Sequence, residues 1–157
     1  MDIWLIRAFV YSHFADTTHA PSVDETANHF NISVEEASAL YKELHIRHAF
    51  FLEPETLTIR MASPFSGIPT DFRVHANGKM YFASCAWEML GIPAALHCDA
   101  VIEAVCTESN ESVQLEIRDG QIQAQAAVLG GGDAALSKLR VHLPLPFARW
   151  YDDLVFT

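Results

Sequence analysis

Residues 81–96, YFASCAWEMLGIPAAL, join a strand-like run to a helix-like run, with Cys85 and Glu88 at the changeover. A thiol near a helix N-terminus faces backbone N–H groups and the positive end of the helix dipole, and both favour the thiolate. A carboxylate three residues on lies on the same helical face, within reach of whatever the sulfur holds. Two readings of the pair stay open: a reactive thiol with an acid–base partner, or an inert buried cysteine beside a first-turn glutamate. On the first, Cys85 should be the most readily alkylated of Cys85, Cys98 and Cys106.

The other chemistry-bearing patterns are weak. Cys85, Cys98 and Cys106 form C-x₁₂-C-x₇-C, which lacks the C-x₂₋₄-C pairs of a structural zinc site. His45 and His48 in HIRH stand three apart on a helix-like stretch and read mainly as a solvated face. Gly130-Gly131-Gly132 has neither the lysine nor the hydroxyl that a phosphate cradle requires. H-E-x-x-H, G-x-S-x-G and G-x-G-x-x-G are all missing, so hydrolase, kinase and dehydrogenase readings lose their usual support.

The 157 residues suit one domain or two small ones sharing an interface, and half of them are hydrophobic. A net charge of −10 argues against nucleic acid or an acidic membrane surface as partner. The apolar start carries Asp2, Arg7 and His13, with no basic leader or A-x-A-like site, and no apolar run is long enough to span a membrane. Three cysteines in such a chain read as reduced thiols, which makes the cytoplasm the expected compartment.

What positions Cys85 and Glu88 is an α+β chain. Apolar spacing predicts a helix over 2–15, and capping-box pairs Ser22/Glu25 and Ser33/Glu36 open two more. Two β-prone runs, AFFL and TLTIRM, follow around EPE, and the order suggests a winged helix-turn-helix over residues 1–62. The turn-rich stretch 61–72 marks the module boundary. Residues 63–157 read as a mostly antiparallel or mixed sheet with short helices. It comprises a hairpin at Asn77-Gly78, a short helix over 85–91, and strands in DAVIEAVC, SVQLEIRDG, QIQAQAAVL and LRVHLPLPF. Residues 1–61 hold nine acids against four basic residues, and Glu35-Glu36 open the would-be recognition helix. A structural or dimerising role therefore fits better than DNA reading, with the apolar surface of helix 2–15 buried on the sheet domain or on a second subunit.

IRMASPFSGIPTDFRV, KMYFASCAWEMLGIPAAL and VIEAVC, with the preceding helical module, resemble the alkylmercury lyase (organomercurial lyase) family, most specifically over residues 59–106. The resemblance implies cleavage of a carbon–mercury bond: thiolates capture the organomercurial and a proton goes to the departing carbon. It places the mercury-capturing cysteine at Cys85, the acid at Glu88 (an aspartate in the family) and a structural cysteine at Cys106. It also implies a second catalytic cysteine before a V-H-F strand, where this sequence has Lys138 ahead of Val141-His142-Leu143. A second mercury ligand is then expected from Cys98, from an exogenous thiol acting as co-substrate, or from a segment beyond Thr157, since relatives are expected to run on past a block like ARWYDDLVFT. No resident cofactor is implied. Two non-enzymatic readings remain beside the lyase: a binding protein for a soft metal or thiol-reactive compound, and a winged-helix regulator with a sensing domain.

Overall fold

A computed structural model describes residues 2–53, 55–106, 109–123, 140, 141, 143, 145, 146, 149 and 150. Three helices lead the chain: α1 (Ile3–Thr17), α2 (Val23–Phe30) and α3 (Val34–Ile46). Each opens on a side-chain cap. Asp2 accepts from Trp4 N–H in α1, and Ser22 and Glu25 complete a reciprocal capping box in α2. In α3 only half of the expected box forms, Ser33 accepting from Glu36 N–H at 3.1 Å. Thr26 and Tyr41 tie α2 to α3 across a buried 2.7 Å hydroxyl contact. Because Tyr41 O–H donates to Pro21 C=O at 3.1 Å, Thr26 must be the donor to Tyr41. Burial pushes the Tyr41 phenol up to about 12, with the Thr26 bond pulling the other way.

A three-stranded antiparallel sheet follows: β1 (Phe51–Leu52), β2 (Ile59–Ala62) and β3 (Phe65–Ser66), in that spatial order. The helices and the β1–β2 hairpin thus come in the expected sequence. Strand β3 was not expected, because turn formers dominate 61–72. Ser63 and Pro64, joined by a cis peptide bond, form the two-residue turn across which Ala62 pairs with Phe65. The point read as a module boundary, near residue 62, lies inside this hairpin. Gly67 completes it: a Cβ there would sit 1.9 Å from Ile59 C=O, so only glycine lets its N–H reach Arg60 C=O at 2.7 Å.

The second sheet has five antiparallel strands in the order β5-β4-β6-β7-β8: β4 (Arg73–Ala76), β5 (Lys79–Phe82), β6 (Ala100–Val105), β7 (Ser112–Arg118) and β8 (Gln121–Ile122). Asn77-Gly78 and Asp119-Gly120 close its two-residue hairpins with positive φ at all four residues, as type I′ turns require. Alternation puts Val74, Ala76, Ile102, Val113, Leu115 and Ile117 on the buried face. Most of the run QIQAQAAVL and the expected strand LRVHLPLPF involve positions outside the described residues.

Between β5 and β6 lies α4 (Glu88–Leu96). It begins three residues later than expected and runs through Gly91 and Pro93 instead of stopping there. Met89, Ile92 and Pro93 are buried in the core, and that packing overrides the cost of the N–H that Pro93 lacks. The helix ends at His97, in the left-handed region, with Cys98 N–H on Pro93 C=O.

One cluster of buried side chains joins the two sheets and the helices. From α1 come Ile6, Val10 and Phe14, whose last ring stacks on Phe65 at 5.3 Å. The expected stripe of Ile3, Leu5, Ile6, Phe9, Val10 and Phe14 is narrower in fact, since Leu5 is 54% exposed. Lys79 Nζ and Tyr81 O–H both donate to the otherwise unclaimed Ala15 carbonyl, at 3.0 and 2.8 Å, pinning the end of α1 to β5. Among the described residues no helix is long and apolar enough to cross a membrane.

Candidate active site

Strand register decides which cysteines share an end of the five-stranded sheet. Phe82, Arg73 and Glu103 lie side by side across β5, β4 and β6, as do Lys79, Ala76 and Ala100 at the opposite end. Cys85, three residues past Phe82, and Cys106, three past Glu103, therefore sit at one end. Cys98, two residues before Ala100, sits at the other, beside the Asn77 turn. α4 separates Cys85 from Cys98 by about 13 Å at 1.5 Å per residue, so the expected Cys85–Cys98 ligand pair is not brought together. Cys106 directly follows β6, its N–H donating to Glu111 C=O at 2.8 Å. Lys138 and His142 lie outside the described residues.

Cys85 precedes α4, whose N-cap is Trp87, and the backbone N–H groups of Trp87 and Glu88 face its sulfur. This is the helix-terminus setting expected from the sequence, but the thiolate advantage is not realised. Burial pushes the thiol up, the neighbouring Glu88 charge adds to the rise, and the two N–H groups only partly oppose it. Cys98 is pushed up as well, by burial and by Asp99, so neither is an activated thiol. A soft cation reverses this for a buried sulfur, because the metal replaces the proton and supplies the missing charge.

Glu88 is the first residue of α4, and its carboxyl is pushed up by burial. Ser63 and Ser84 stand close enough to favour the charged form and pull the other way. They do not complete the job: buried Glu88 Oε2 and Ser84 Oγ each lack a hydrogen-bond partner. Burial therefore prevails, and the carboxyl is biased toward the protonated acid. Two orphaned oxygens next to a thiol are costly for folding alone, which is the usual mark of a working site.

The floor of this end comes from the β2–β3 turn. Pro64 packs on α4 so closely that a Cβ on Gly91 would lie 3.1 Å from its Cβ, and this brings Ser63 against Glu88 one helical turn earlier. Phe65 forms an isolated bridge to Ala83, which sets the chain leading into Ser84 and Cys85. Sequence reading missed Ser63 and Ser84. Ser84 was signalled only by standing next to Cys85, and Ser63 had no local signal at all. His45, read with His48 mainly as a solvated face, is half-buried and accepts from Leu52 N–H at 3.3 Å through Nδ1. Among the described residues no group of three or more His, Cys, Asp or Glu side chains is placed to hold a metal ion.

Residues 65–138 match the family model described as MerB, alkylmercury lyase. A solved structure, "Crystal structure of the mercury-bound form of MerB2", shares the fold with TM-score 0.65 and 22% identity, over 86% of this chain and 71% of that one. No curated protein matches the sequence.

Proposed function

With residues 65–138 carrying the alkylmercury lyase pattern, we propose that the chain cleaves carbon–mercury bonds, with Cys85 as the capturing nucleophile and Glu88 as the proton donor. The observation that carries this reading is the half-buried Cys85–Glu88 pair, in which desolvation favours the neutral acid beside a sulfur able to take a soft cation. Its support from likeness is the matched segment and the shared fold of a protein whose structure holds mercury.

The steps balance as follows. Cys85 loses its proton and its sulfur bonds to mercury of an organomercurial thiolate, R–Hg–SR′, releasing R′SH. An exogenous thiolate then adds to mercury and raises the electron density on the bound carbon. The Glu88 carboxyl transfers its proton to that carbon as the carbon–mercury bond breaks, the electron pair leaving with R as R–H. Mercury(II) remains on Cys85 and the small thiolate, and a further thiol removes it. Glu88 regains a proton from solvent or from that thiol.

The second thiol is assigned to solution because the family position before the V-H-F strand holds Lys138 and because Cys98 lies past the far end of α4. Methylmercury with excess small thiol is the deciding experiment, methane and mercury(II) being measured together. Slow, thiol-dependent methane release is expected. Stoichiometric mercury(II) retention without methane would favour the binding-protein reading, which the Lys138 substitution supports.

A further inference from the structure

The β4–β5 ladder ends on a side-chain hydroxyl. Its register pairs Val74 with Tyr81 and Arg73 with Phe82, so the next pair outward is Phe72 with Ala83. Counted from the two-residue Asn77-Gly78 turn, that pair is one in which antiparallel strands exchange both of their N–H···O=C bonds. One of the two is made, Ala83 N–H donating to Phe72 C=O at 2.9 Å. In place of the other stands Thr70, whose hydroxyl donates to Ala83 C=O at 2.6 Å and accepts from Phe72 N–H at 3.3 Å. The same hydroxyl lies 3.3 Å from Phe72 C=O, but it has a single proton, and the shorter contact with Ala83 takes it. Thr70 is thus inserted into the ladder and carries it one residue pair beyond Arg73 and Phe82.

Ala83 is fully buried and is held from a second side by its isolated bridge to Phe65 of the three-stranded sheet. Both sheets therefore meet at Ala83, and only Ser84 separates it from Cys85. Cys85 C=O in turn accepts the N–H of the buried Met89 at 3.0 Å, in the first turn of α4. We propose that Thr70 is a positioning residue for Cys85, its hydroxyl holding the Ala83 carbonyl so that the chain leaves β5 in the direction that keeps the sulfur half-buried at the start of α4. A valine-shaped side chain cannot do this, since it would leave Ala83 C=O and Phe72 N–H without the partner that Thr70 supplies. What the sulfur is held for rests on the lyase reading; the hold itself does not.

The test uses the whole chain and needs no turnover. Iodoacetamide labelling at neutral pH, followed by peptide mass mapping, gives the rate at Cys85 with Cys98 in the same molecules as reference. Thr70→Val, which keeps the shape and loses the hydroxyl, should raise the Cys85-to-Cys98 rate ratio severalfold. Thr70→Ser, which keeps the hydroxyl, should leave it near wild type. An unchanged ratio in Thr70→Val overturns the proposal, because loosening of the whole fold would speed both cysteines together. An equal rise in Thr70→Ser overturns it as well, since that would assign the effect to the lost methyl group. If Thr70→Val does not fold, amide hydrogen exchange of the wild-type chain decides: the Phe72 N–H should be protected together with that of Ala83, and exchange at the rate of an open loop overturns the hold. Failure of wild-type methane release would sink the lyase reading and leave these labelling ratios standing.

Discussion

The two ends of the five-stranded sheet are built from similar pieces and solved differently. Around Asn77, Asp99 and Arg118 the charges are paired in the open: Arg118 bonds Glu116 and lies 3.4 Å from Asp99, and Asp99 accepts from Asp119 N–H at 3.0 Å. An open groove of about 440 Å³ lies there, lined by His75, Lys79, Asp99 and Arg118 among others. At the Cys85 end a carboxylate oxygen and a hydroxyl, Glu88 Oε2 and Ser84 Oγ, are buried without partners. A cysteine near either end is chemically the same residue. Among the described residues, buried polar valences are left unfilled at the second end, which therefore has something left to offer a ligand.

The comparison breaks most visibly at the cysteines. Cys85→Ser is expected to abolish methane release and the tight mercury(II) site, whereas Cys98→Ser should keep both; mercury stoichiometry and methane measured on the two variants decide. If Cys98→Ser is the inactive one, the ends have been assigned the wrong way round.

Glu88→Gln comes next. Removing a general acid should slow protonolysis by roughly 10²- to 10⁴-fold while leaving mercury(II) binding intact. The same variant should be more stable at neutral pH. Because the Glu88 carboxyl is held above its ordinary range, the folded state keeps a proton that the unfolded chain has already released. Stability is therefore lost as pH rises from the ordinary carboxylate pKa through the folded one, and glutamine removes that loss. Thermal melts should show a higher Tm for Glu88→Gln at pH 7 and no difference below about pH 4.

Gly67→Ala tests the floor of the site. Its Cβ would collide with the Ile59 carbonyl, a backbone atom that has no easy escape. A loss of about 1–3 kcal/mol in urea unfolding is expected, the usual range for overpacking. The smallest effect belongs to the open end: Arg118→Ala should leave Tm and the Cys85 labelling rate unchanged, because solvent screens its ion pairs.

Much of this architecture is legible in the linear chain because its causes are local. Ser22 and Glu25 form their box from side chains three residues apart, and Asn77-Gly78 and Asp119-Gly120 adopt left-handed turns that few other pairs tolerate. Period-two alternation likewise marks β6 and β7 without help from elsewhere. The Cys85–Glu88 spacing, and its likeness to a known family, are local too.

Tertiary structure decided what those residues became. Gly91 and Pro93 read as a stop, yet burial of Met89 and Ile92 carries α4 through both. Helix position alone argued for an acidified Cys85 thiol, but its ionisation depends on how much water the fold leaves, and burial reversed the sign. Spacing alone left Cys98 open as a partner for Cys85, and strand register sent it to the opposite end. Ser63 had no sequence signal, because the contact that matters lies with Glu88, far along the chain. Backbone conformation follows from neighbours in sequence; desolvation and encounter follow from neighbours in space, and only folding chooses those.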